Sequence, residues 1–326
     1  MVKFDFHTHV GNIPSSGRNG TFTKDVTPAE AAYFLKQYNI THTVILYSDY
    51  SLMEELESLV DTKLYGVKWI NDPYNDELDS GKPLCYGVKV HSHRSRYVYK
   101  GEEIFGLDYT NARHMGALLS RLQPGELVYM HTQESISPLN KSCPRSVLKN
   151  AVKYNHLKFI IGHAGHYGGF AVARPVDREI DTNIQDSKSE DKKHLHGLSQ
   201  HLLAKQNTRD AAEYTEYCHN IFLDSSVYTK QKGEVLKDYR KWCIGSDFPF
   251  GDPKTYDFDK QVKQFLKHMD MEKIEMNYQN AINWIETPID DLAKSHYENG
   301  KYTHKGTPRK RKGYVPGNAK VADLPQ

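Results

Sequence analysis

Apolar positions along the chain fall in short runs, most of them rich in β-branched and aromatic residues. Eight of these runs read as strands: VKFDFHTH (2–9), TVILYS (43–48), LYGVKWI (64–70), CYGVKVH (85–91), LVYMHT (127–132), KFIIGHA (158–164), NIFLDSS (220–226) and KWCIGSD (241–247). Several are nearly continuous in apolar character, as a strand buried on both faces must be. Most of the stretches between them have helical spacing. Thr27 can cap the first helix, with Pro28 at its first position, Glu30 at its third, and Ala32, Phe34, Leu35 and Tyr38 as its apolar set. Residues 51–61, 108–121, 144–155, 198–217, 230–240 and 257–268 read the same way. NDPYNDELDSGKP (71–83) is a poor helix, so that crossover is expected to be short or irregular.

Strand alternating with helix predicts a parallel sheet. Eight such units over about 245 residues predict an α/β chain folded as a closed (β/α)8 TIM barrel. The rival, an open doubly wound sheet, usually carries a Gly-rich phosphate loop after its first strand. Here that strand ends in His-Thr-His. Two regions break the rhythm. Residues 165–197, after the sixth strand, form a long, polar, charge-mixed insertion, expected to be a lid or a surface excursion. Residues 301–320 hold seven Lys/Arg and no acidic residue, with RKRK at 309–312. That composition predicts a solvated tail, with docking onto a neighbouring subunit or a polyanion as the functional reading.

Composition narrows the classes. Lys+Arg 43 against Asp+Glu 41 leaves a formal charge of +2, which gives no argument for nucleic acid. Cys85, Cys143, Cys218 and Cys243 show no CxxC spacing, which argues against a disulfide framework or a cysteine zinc site. MVKFDFHTHV has no run resembling a secretion signal, and no stretch approaches a membrane span, so a cytoplasmic protein is expected.

Polar residues at the strand ends carry the chemistry. His7 and His9, at i and i+2, point to the same side of one strand. His131, His163 and Asp247 end the fifth, sixth and eighth strands. All five sit at the carboxyl ends, where barrel active sites are built. Imidazole nitrogen and carboxylate oxygen suit a borderline cation, Zn²⁺ first and Mn²⁺ second. A lone His at a strand end is usually structural; the recurrence at equivalent positions points to a metal site.

At this point the sequence resembles the amidohydrolase superfamily of metal-dependent barrels, and within it the amidohydrolase-2 branch of lactonases, other hydrolases and non-oxidative decarboxylases. FDFHTHV is similar to the opening HxH, YGVKVH to the strand-four GVKLH, and VYMHT and IIGHAG to the strand-five and strand-six His motifs. NIFLDSS resembles the strand-seven pattern, IGSDFPFGDP the GSDYPF motif, and KIEMNYQNAINWI (273–285) the closing helix. The resemblance spans residues 2–287, taken as the barrel, and leaves 288–326 as a basic extension. It implies that His7, His9 and Asp247 bind the metal, with His131 a further ligand. His163 would ligate a second metal or polarise the substrate, and Lys89 would bridge two metals, bind a substrate anion or make a structural hydrogen bond. His91 faces as Lys89 does. The branch usually has a Pro after the strand-four His; here HSHRSR follows, so Arg94 and Arg96 make the loop basic and suit a substrate carboxylate or phosphate. His166 stands where a second Gly is common.

The expected activity is hydrolysis of a small, acidic ester, lactone or amide with one or two divalent ions, Asp247 acting as general base and His163 stabilising negative charge. A carboxy-lyase on the same site is the nearest alternative. A TatD-like nuclease is suggested only by GEEIFGLDY (101–109), and an inactive scaffold only by the basic tail. The implied partner is a small molecule, with no membrane and no nucleic acid; a homo-oligomer stays open.

Overall fold

A computed structural model describes residues 2–13, 24–92, 96–132, 144–165, 207–249 and 257–298. Most of the insertion after the sixth strand, the tail 301–320, Arg94 and His166 lie outside the described residues, and Arg96 is described in its backbone alone.

The eight sequence-predicted strands are present as β1 (Phe4–Ile13), β3 (His42–Tyr47), β4 (Lys63–Trp69), β5 (Cys85–His91), β8 (Leu127–His131), β9 (Lys158–Ile161), β10 (Ile221–Asp224) and β11 (Trp242–Cys243). They form one parallel sheet in the order β11-β10-β9-β8-β5-β4-β3-β1. A short strand β2 (Lys24–Val26) adds antiparallel to the far end of β1. The sheet curls until its ends meet: Phe6 N–H donates to Ile244 O at 2.9 Å, Asp247 N–H to His7 O at 2.8 Å and His9 N–H to Phe248 O at 3.1 Å. The result is a mixed α/β fold around a large curled parallel sheet.

Every residue of β8, β9 and β10 is buried. Helices cover the outer face. Pro28–Gln37 starts with the predicted capping box: Thr27 Oγ1 accepts from Glu30 N–H at 3.2 Å, and Glu30 Oε2 accepts from Thr27 N–H at 2.9 Å. No helix joins β4 to β5, as the composition of 71–83 predicts. Instead Asp76 Oδ2 accepts from the backbone of Asn71 and Asp72, and buried Asp79 pairs with Lys68 at 3.2 Å and accepts from Tyr47 OH at 3.2 Å.

Two further elements were not expected from the sequence. β6 (Arg96–Tyr99) and β7 (Glu102–Phe105) form a separate hairpin. Its turn residues, Lys100 and Gly101, have φ of 52° and 83°, the left-handed pair that a tight two-residue turn needs. Helix Ile289–Glu298, with Ile289 buried at its start, follows the closing helix Met271–Glu286.

Candidate functional site

The site begins at β1. Its alternation turns His7 and His9 to the inside of the curled sheet, while buried Asp5 locks the strand to the last one. Asp5 Oδ1 accepts from His7 N–H at 3.1 Å and from Ser246 N–H at 2.8 Å, and Oδ2 accepts from Thr8 Oγ1 at 2.8 Å. Burial pushes the Asp5 carboxyl up to about 7 against those bonds. On the other side of the seam Asp247 has φ 59°, in the left-handed region, an uncommon backbone for a non-glycine residue.

These two segments bring three side chains to one point. His7 Nε2 lies 3.2 Å and His9 Nε2 3.3 Å from Asp247 Oδ1. All three residues are buried, and their ligand atoms lie within 4.8 Å of one another. The other nitrogen of His7 meets Asp224 Oδ2 at 2.8 Å. Asp224 also accepts from Tyr129 OH at 2.5 Å, Ser226 Oγ at 2.6 Å, Ser226 N–H at 2.8 Å and His163 N–H at 3.0 Å. Burial raises the Asp224 carboxyl, but the neighbouring His7, His163 and Ser226 outweigh it and hold the group well below the usual carboxylate range.

An ionised Asp224 only accepts, so His7 Nδ1 carries the proton. The lone pair on Nε2 then faces a carboxylate oxygen of Asp247. Two electron-rich atoms at that distance call for a positive centre beside both. A second ring proton is disfavoured, because burial pushes His7 down despite the pull of Asp247 and Asp224. The donor set of two imidazoles and one carboxylate therefore fits a divalent cation.

His7, His163 and Asp224 make a second close group. There the carboxylate is already saturated by protons, and the group reads as a hydrogen-bond network. Ser226 Oγ gives its proton to Asp224 and lies 2.8 Å from His163 Nδ1 and 3.0 Å from His7 Nδ1. Behind it, fully buried Lys232 donates to Ser226 O at 2.6 Å and Val227 O at 2.9 Å. Burial pushes Lys232 down to about 7, with Asp224 and Asp247 pulling the other way.

The wall opposite is built from rings. His131 Nδ1 lies 3.1 Å from His163 Nε2, and His163 itself has left-handed φ of 55°. The His91 ring stacks on His131 at 3.8 Å and on Trp69 at 5.6 Å. From Trp69 the circuit closes through His9 at 6.3 Å, His7 at 5.0 Å and His163 at 5.1 Å. The buried ammonium of Lys89 sits 3.9 Å from the centre of the Tyr129 ring, a cation–π contact. Tyr109 OH donates towards Val90 O at 3.1 Å and His131 O at 2.9 Å, pinning the ends of β5 and β8.

The structure thus gathers His7, His9, Lys89, His91, His131, His163 and Asp247 into one interior. Glu102 and Glu103 of GEEIFGLDY are exposed on the β6–β7 hairpin. Sequence reasoning missed Asp224, Ser226, Tyr129, Trp69 and Lys232. Three of them carried a signal: NIFLDSS ends in Asp224 and Ser226 at a strand end, as the histidine strands end in polar residues, and Tyr129 shares a face with His131 two residues on.

No family model matches the chain, and no curated protein matches its sequence. Among solved structures, the chain is similar to a probable 2-pyrone-4,6-dicarboxylic acid hydrolase from Acinetobacter baumannii with citric acid bound. The two share 15% identity over 88% of this chain and 100% of that one, with a TM-score of 0.50. A zinc-bound amidohydrolase from Burkholderia multivorans shares 10% identity over 87% and 98% of the two chains, with a TM-score of 0.46. Amidohydrolase 2 from Bifidobacterium longum subsp. infantis shares 13% over 86% and 96%, with a TM-score of 0.47. The Acinetobacter likeness is one of fold. No helix among the described residues is long and apolar enough to cross a membrane.

Proposed function

We propose that the chain is a metal-dependent hydrolase of the amidohydrolase-2 branch, built on a closed (β/α)8 barrel and acting on a small, acidic ester, lactone or amide. The convergence of His7 Nε2 and His9 Nε2 on one oxygen of Asp247 carries this reading. Those three residues hold the ion, with His131 a further ligand. A bound divalent ion, Zn²⁺ before Mn²⁺, supplies a Lewis acid that acidifies water and polarises the scissile carbonyl. Asp247 takes the proton of the attacking water and returns it to the leaving group. His163, held in place by Ser226, turns the lone pair of Nε2 into the same interior and would ligate a second ion. Lys89 and His91 turn into the same interior, and with Arg94 and Arg96 they suit an anionic substrate. The exposure of Glu102 and Glu103 favours this reading over a nuclease.

The test is the metal content of the purified chain beside its His7→Ala and Asp247→Asn variants, with turnover on acidic lactones, esters and amides. About one equivalent of a divalent transition metal is expected in the wild type, less in the variants. Asp247→Asn should lose most turnover and keep its circular dichroism. Failure to bind metal after reconstitution with Zn²⁺ or Mn²⁺, or wild-type rates in Asp247→Asn, would overturn the reading. Release of CO₂ without hydrolysis would assign the same site to a carboxy-lyase.

A further inference from the structure

The turn that follows β10 is strained and yet closes directly on the site. Val227 has φ 57°, a conformation that a β-branched residue adopts only when its surroundings impose it. The side chain that imposes it is Lys232, from the helix Lys230–Leu236, through its bonds to the carbonyls of Ser226 and Val227. Burying an ammonium completely is expensive, and an apolar side chain of similar length would fill the same space at lower cost. What the ammonium adds is a fixed place for Ser226.

The Ser226 hydroxyl has one proton, and the 2.6 Å contact gives it to Asp224. Its oxygen must then accept, which puts the proton of His163 on Nδ1 and leaves Nε2 as the lone-pair nitrogen facing His131. The same network holds the His7 proton on Nδ1. We infer that Lys232 is a positioning residue: by clamping the 226–227 turn it fixes the Ser226 hydroxyl, and through it the tautomers of His163 and His7 that present both Nε2 atoms to the site. This goes beyond the hydrolase assignment but rests on the same reading of the site.

The experiment is imidazole ¹⁵N–¹H spectroscopy of the metal-free full chain labelled in histidine, with His7 and His163 signals assigned from His7→Gln and His163→Gln. It is paired with Zn²⁺ affinity by chelator competition and with thermal unfolding. Wild type should show both rings as single Nδ1–H tautomers. Lys232→Met should convert His163 to a mixture and weaken Zn²⁺ binding about 10–100-fold, the usual cost of losing support behind a ligand. Ser226→Ala should produce the same tautomer change while leaving the turn clamped. The double variant should be no worse than the worse single one. Wild-type tautomers in Ser226→Ala overturn the proposal even if Lys232→Met fails to fold. Wild-type tautomers in a folded Lys232→Met, or additive effects on Zn²⁺ affinity in the double variant, overturn it as well. Because the tautomers are read without metal or substrate, their outcome is separate from whether the chain hydrolyses anything.

Discussion

His7 Nδ1 donates to Asp224 Oδ2 at 2.8 Å, and both side chains are shut away from solvent. The carboxylate lies at the end of β10 and the imidazole on β1, so this bond crosses the interior of the sheet. It decides which nitrogen of His7 is left with a lone pair for the site. Asp224→Asn keeps the shape but removes the charge that holds the proton on Nδ1. Zn²⁺ affinity should fall about 10–100-fold in chelator competition, with far-UV circular dichroism preserved. Unchanged affinity would strip Asp224 of this role.

Gly245 lets the seam close. A Cβ there would stand 2.4 Å from Asp224 Oδ1, 2.6 Å from His7 Cβ and 3.0 Å from Ser226 Cβ. None of these atoms is the loose end of a flexible chain. Gly245→Ala should therefore cost about 1–3 kcal/mol in urea unfolding, the usual range for an overpacked core. It should also lower metal retention, since the displaced atoms belong to the site. A stable variant that keeps its metal would show that the seam gives more readily than its packing implies.

Buried Lys158, at the start of β9, donates to Ile285 O at 2.6 Å and Thr287 O at 2.8 Å. These are carbonyls at the end of the closing helix, which has no intrahelical donors left for them. Lys158→Met should destabilise the chain by about 1–3 kcal/mol by leaving them unsatisfied. Equilibrium urea unfolding would measure it, and a midpoint equal to wild type would mean that water replaces the ammonium.

The helix Ile289–Glu298 sets an acid limit on stability. Burial, with help from Lys241 and His219, pushes His296 down to about 4, against a hydrogen bond to the Tyr217 carbonyl. The unfolded value is near 6.5. Between those values the unfolded chain binds the proton and the folded chain does not. The contribution is therefore full above pH 6.5 and is lost as pH falls towards 4. Partial exposure limits it to on the order of 1 kcal/mol. His296→Gln should flatten the acid limb of the melting temperature against pH between 6.5 and 4; an unchanged limb would assign that slope to other groups.

The sequence by itself determined the strands, most of the helices and the polar residues at strand ends. Each of these follows from local pattern: continuous apolar runs, a capping box at Thr27, and the two-residue alternation that puts His7 and His9 on one side. The irregular crossover at 71–83 was legible for the same reason. The hairpin at 96–105 left a signal in Lys100-Gly101, but its strands are too short to stand out from the basic loop before them. Tertiary structure alone decided which residues meet. The pairing of β1 with 244–248 brings Asp247 to within 3.3 Å of histidines about 240 positions away. Asp224, Ser226 and Lys232 act through protons and carbonyls at distances that no spacing encodes. A proton's position on an imidazole depends on every neighbour at once, and those neighbours come from β1, β8 and β10, from the segments after β9 and β11, and from the turn after β10.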